Sequence, residues 1–135
     1  MDASFSFSID RAWDLVRIQM AGLFTRADID AFLEERRLAH AQLACAPNRH
    51  LTLNDLRGMK IQSQEAVADF RLMLSDPAFR SRRLAFVAGQ TLARSQLMRA
   101  LGDRDARCFD NVEEAEDWLF DEAEEQAPLR RYATR

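Results

Sequence analysis

The chain has 135 residues, 47% of them hydrophobic and 30% charged, with four glycines and three prolines. That is the length of one domain, able to bury roughly two thirds of its unfolded surface without disulfide staples. A net charge of −3 argues against nucleic acid as the main partner, because phosphate binding needs a concentrated basic footprint.

Ser4 to Asp10 alternate strictly, with Phe5, Phe7 and Ile9 apolar and Ser4, Ser6, Ser8 and Asp10 polar. Period two predicts a strand with one wet face. A second strand follows at Leu15–Met20 after a link of hairpin length. Thr25 then opens an amphipathic helix to about Cys45, with Asp28 favoured at its positive end. Ile29, Phe32, Leu33, Arg36, His40 and Leu43 share one side of it. Leu51–Leu56 reads as a strand and Arg57–Lys60 as a loop, and Ser63 caps a second helix whose inner stripe is Ala66, Val67, Phe70, Met73 and Leu74. Asp76-Pro77 stops that helix.

Leu84–Ala88 is a nearly continuous apolar strand, the pattern of a central, well-covered position. A third helix is expected from about Thr91 to Leu101 with Gly102 after its end, then a short strand at Arg107–Phe109. Asn111 caps a fourth helix, with Val112, Ala115, Trp118 and Leu119 facing inward and Glu116 outward. The order is β-β-α-β-α-β-α-β-α, an α/β domain over residues 1–121, with the helices on one face of a mixed five-stranded sheet and the other face partly wet. Residues 122–135 show no apolar period and are expected to form a frayed or disordered tail.

No apolar run approaches the ~18 residues needed to span a bilayer, and the acidic start Met1-Asp2-Ala3-Ser4 lacks the pattern of a signal peptide. A cytoplasmic location with no transmembrane segment is expected. Cys45 and Cys108 should then be reduced, and their spacing suggests neither a disulfide framework nor a zinc site. His40 and His50 have no matching carboxylates or cysteines for a metal, and no nucleophile has a base beside it in the chain. No catalytic residue, cofactor or metal site is therefore assigned.

Several stretches together resemble the SpoIIAA-like family of the STAS superfamily, the sulfate transporter and anti-sigma-factor antagonist domains. They are Gly22 before the Thr25-capped helix, Leu53-Asn54-Asp55-Leu56-Arg57-Gly58 leading into Gln62-Ser63-Gln64-Glu65, Leu84-Ala85-Phe86-Val87, and Phe109-Asp110 with Glu114-Ala115-Glu116-Asp117-Trp118-Leu119. The resemblance covers about Leu15 to Leu119 and implies a β-α superhelix. It also implies a regulatory serine at the start of the helix after the third strand, where phosphorylation controls binding of a kinase-like protein. Ser63 lies within about one residue of that position, without the family's preceding Asp and following Gly.

The residues themselves favour Ser63 as a plain cap. Asp55, at the end of a parallel strand, could face a ligand or pair with Arg57. Phe79, Arg80, Arg82 and Arg83 form a candidate membrane contact, with a solvated loop as the plainer reading. The expectation is a non-enzymatic regulatory or scaffolding module that binds a protein through the edge from Asp55 to Glu65, with Ser63, Asp55 and Gln62 as candidate contacts. The alternative is a carrier of a lipid or other small apolar ligand, or a peripheral membrane-binding domain, using Phe24, Phe79 and Phe120 as spare aromatics. A homodimer stays open, because a first strand at a sheet edge needs cover.

Overall fold

The computed structural model describes residues 2–89, 94–95, 99 and 106–121. Strands β1 (Ser4–Asp10) and β2 (Leu15–Gly22) form the expected hairpin. Strands β3 (Leu51–Met59), β4 (Arg83–Val87) and β5 (Ala106–Phe109) follow, in the spatial order β1-β2-β3-β4-β5. Only the β1–β2 pair is antiparallel, so the sheet is mixed, as the alternation of elements requires. The helices are α1 (Arg26–His40), α2 (Gln64–Leu74) and α3 (Val112–Leu119). The helix expected over Thr91–Leu101 lies outside the described residues except at Arg94, Ser95 and Arg99, and the expected tail lies wholly outside them.

Two boundaries differ from the sequence reading by more than a residue or two. Helix α1 stops at His40 rather than near Cys45, because the chain tightens there: Gln42 and Leu43 donate to the carbonyls of Ala39 and His40, three residues back. Strand β3 runs through the expected loop to Met59, pairing Gly58 with Ala21 and Met59 with Gly22 after a register shift that leaves one extra residue in β3 between Asp55 and Gly58. A Cβ at Gly58 would stand 2.7 Å from the Cβ of Ala21, so glycine permits that close pairing.

The caps fall where the sequence puts them. Thr25 and Asp28 form a reciprocal capping box, and Ser63 and Asn111 each accept an N–H three residues on.

The two faces of the sheet are covered differently. Val16, Ile18 and Met20 gather with Phe24, Ile29 and Phe32 and with Ala66 of α2. The ring of Phe32 lies 5.4 Å from Phe5 and 5.0 Å from Phe7, closing α1 onto β1. Leu15, Leu51, Leu53, Ala85 and Val87 point the other way, onto Ala115, Trp118 and Leu119 of α3. Having every helix on one face is therefore correct for α1 and α2 and wrong for α3.

The reason lies in the connections. Helices α1 and α2 are crossovers between parallel strands, and crossover handedness sends successive ones to the same side. No strand follows α3 among the described residues, so that rule does not bind it. It covers the face that would otherwise leave β4, buried at all five positions, half bare. Over β1 and the outer half of β2 this face stays wet, with Ser4, Ser6, Ser8 and Gln19 exposed.

Glu116 does not point outward as the sequence suggested. It pairs with Arg17 of β2, because α3 lies across that face. Trp118 is buried in the core as expected, with the guanidinium carbons of Arg83 and Arg107 at 5.2 and 5.1 Å from its ring.

Candidate functional site

The carboxyl ends of β2 and β3 turn into the N-termini of α1 and α2, which places two short loops side by side. In open α/β sheets this is the end at which ligands bind. Gln62 ties the loops together. Its side-chain oxygen accepts the Phe24 N–H at 2.9 Å, and its amide nitrogen donates to the carbonyls of Gly22 at 2.9 Å and Lys60 at 2.6 Å. Only 8% of Gln62 is exposed, so this candidate contact is a structural latch that presents nothing to a partner. Gly22 makes the turn possible: its φ is +85°, and a Cβ there would lie 2.2 Å from the Asp2 carbonyl oxygen.

Beside the latch, α1 and α2 part to leave an open cleft of about 640 Å³. Phe24, Ile29 and Ala66 contribute apolar surface, Thr25 and Ser63 stand at the two helix starts, and Arg26 reaches across to Asp69 at 3.6 Å. Ser63 is exposed, and its Oγ accepts the Ala66 N–H at 3.1 Å. That is the cap read from the sequence.

Asp55 is chelated by Arg57, whose Nε and Nη2 donate to its two oxygens at 3.0 and 2.7 Å. These side-chain hydrogen bonds hold the Asp55 carboxyl below its ordinary range against the opposing effect of burial. The structure thus brings Ser63 to the cleft, sets Gln62 beside it as the latch, and leaves Asp55 in an ion pair on the strand.

Two residues that the sequence reading passed over stand out here. Leu23 is 45% exposed and Ile61 is 53% exposed, one on each latched loop. Their signal was present in the chain: each is a large apolar residue in a connecting segment, outside any strand or helix period.

Most side chains of the basic segment make contacts within the fold. Phe79 packs between the Arg36 guanidinium, 4.1 Å from its ring centre, and the His40 ring at 5.0 Å. Arg83 is buried and donates to the Trp118 carbonyl. Arg82 donates to the Arg49 carbonyl at 2.9 Å, and Arg80 alone of the four is exposed. The aromatics read as spare are likewise engaged, since Phe24 is buried and Phe120 stacks on Trp13 at 4.1 Å.

His40 and His50 meet at the other end of the sheet, with ring centres 4.8 Å apart. All nine residues of β3 lie between His50 and the Ser63 loop, a rise of about 30 Å, so neither imidazole can act as base for that hydroxyl. Among the described residues no group of three His, Cys, Asp or Glu side chains could hold a metal, and no helix is long and apolar enough to cross a membrane. Cys45 and Cys108 are both free, and burial is the main cause raising each thiol above its ordinary pKa.

No family model and no curated protein sequence matches the chain. Among solved structures it is similar to an uncharacterised protein of the DUF3478 family, with a SpoIIAA-like fold, from Shewanella loihica. The two share 17% sequence identity with a TM-score of 0.66, over 88% of this chain and 96% of the other. Strand order, crossover helices and this likeness agree: the chain has a SpoIIAA-like fold.

Proposed function

We propose that the chain works in the cytoplasm as a non-enzymatic regulatory or scaffolding module, and that it binds a protein through the edge from Asp55 to Glu65. The observation that carries this reading is the pair of exposed apolar side chains, Leu23 and Ile61, on loops braced by Gln62. A braced loop loses little conformational entropy on docking, so apolar surface on it contributes to affinity with small ordering cost. Ser63 stands in the same edge, and a phosphate there would change its charge without unfolding the helix start.

The test is affinity capture followed by measured binding of whatever is captured. Leu23→Glu with Ile61→Glu should abolish that binding while leaving the denaturation midpoint unchanged. Undiminished binding by the folded variant would sink the reading.

The cleft supports a second reading, a carrier of a lipid or other small apolar ligand, because its volume lies in the range of small-molecule sites. Native mass spectrometry separates the two. A stoichiometric adduct lost in Ala66→Trp would favour the carrier, and a bare chain mass would favour the protein-binding module.

A further inference from the structure

The two edges of the sheet are built unequally. Strand β5 is short, four residues, and carries Arg107 with Asp110 just beyond it. Short length and charge are the usual protections of an exposed edge. Strand β1 is longer, seven residues, and its one charge is Asp10 at its end. It pairs with β2 through seven successive residues without a bulge, contains no proline or lysine, and has no charged residue from Ser4 to Ile9. Among the described residues nothing pairs with its outer side.

The apolar face of β1 is also unfinished. Phe5, Phe7 and Ile9 pack under α1 yet stay only half-buried. On α1, Leu38 is 45% exposed. Arg36 reaches α2 at the Met73 carbonyl, and Leu38 lies roughly 200° further round the helix, so it faces away from α2. An unguarded edge and an incomplete apolar row thus fall on the same border of the molecule.

We propose that β1 is a self-association edge, whose partner is the β1 strand of a second copy of this chain, paired antiparallel about a two-fold axis through Phe7. This is the register that uses the whole strand. Ser6 then falls opposite Ser8 of the second copy, Phe5 opposite Ile9, and Ser4 opposite Asp10, so apolar meets apolar on one face and polar meets polar on the other. No like charges oppose each other along the strand. Just beyond its ends the same register sets Arg11 of one copy near Asp2 of the other, and both are exposed in the single chain. The two sheets join into one, and the half-buried Phe5, Phe7 and Ile9 rows continue across the axis beneath the paired α1 helices. The proposal is independent of the partner edge at Asp55–Glu65, which lies beyond β2.

Sedimentation velocity over a micromolar concentration series tests it with two charge designs. Ser6 and Ser8 are exposed, and the β2 neighbours of these two positions are Gln19 and Arg17, so both designs are compatible with the fold. Wild type should sediment at the mass of two chains. Ser6→Glu with Ser8→Glu sets glutamate against glutamate across the axis and should weaken the dimer about tenfold or more. Ser6→Lys with Ser8→Glu sets lysine against glutamate in that register and should restore it. A one-chain wild type overturns the proposal, as does a double-glutamate variant that still dimerises or a lysine–glutamate variant that does not. A one-chain wild type that dimerises only after removal of residues 122–135 would assign the edge to the chain's own tail, which also overturns it.

Discussion

Replacing Gln62 by leucine is the most informative single change, because it keeps the side chain's bulk and removes every hydrogen bond of the latch. Phe24 N–H suffers most. Phe24 is buried, and its N–H loses the acceptor at 2.9 Å, at a cost of about 1–3 kcal/mol for a stranded donor. The Gly22 carbonyl keeps the Lys60 N–H at 3.2 Å, and the part-buried Lys60 carbonyl can turn to water, so together they lose roughly 1 kcal/mol. The total is about 2–4 kcal/mol. With a urea slope of ~2 kcal/mol per molar, the midpoint should fall by about 1–2 M. Hydrogen exchange at the Phe24 amide should quicken by more than the global loss of stability explains, because the two loops open locally. A midpoint equal to wild type, with the Phe24 amide still protected, would refute the latch.

Trp118→Ala should cost ~3–5 kcal/mol in chemical denaturation, as removal of a core aromatic does. Glu116→Ala should cost only ~0.2–1 kcal/mol, since its pair with Arg17 is about a third exposed; equal losses would misplace the inner stripe of α3. Ser63→Asp should leave the midpoint unchanged and Ser63→Ala should lower stability by ~1 kcal/mol, whereas a large loss with aspartate would mean that Ser63 does more than cap. Burial holds the His40 pKa down, against its hydrogen bond to the Arg36 carbonyl, and the Arg36 charge adds to the lowering. The unfolded chain therefore binds the proton more readily, so the stabilising contribution is complete above an unfolded pKa of ~6.5 and is lost as pH falls through the lower folded value. Stability measured from about pH 7 down to pH 5 should decline less steeply in His40→Gln, and an identical slope would remove His40 as the cause.

Much of the fold was legible because it is local. The alternation of Ser4–Asp10, the Thr25 and Ser63 caps and the stripe of α3 each depend on neighbours a few residues apart. The face that α3 covers was not legible from α3 itself, since Val112, Ala115, Trp118 and Leu119 would suit either side of a sheet. The clue lay in β4, where Leu84 to Val87 are apolar at every position and so need cover on both faces. Arg83 misled for a related reason. It ends a basic run, yet strand alternation puts it on the face of Ala85 and Val87, under Trp118. The place of Gln62 at the start of α2 is legible in the chain, and its role as a latch is not. Its contacts to Phe24 and Gly22 span 38 and 40 residues of chain, beyond the reach of any local pattern.

The crossing of α3 to the second face also orders events during synthesis. Leu15, Leu51, Leu53, Ala85 and Val87 complete one apolar surface once β4 is made, and their cover is encoded last, in Val112–Leu119. At about 5–20 residues per second, the ribosome needs on the order of a few seconds to pass from Val87 to Leu119. Through that interval the nascent β1–β4 sheet has α1 and α2 on one side and no cover yet made for the other. A stalled or truncated product ending before Trp118 would keep that surface exposed, which marks such fragments for chaperone capture or proteolysis rather than release.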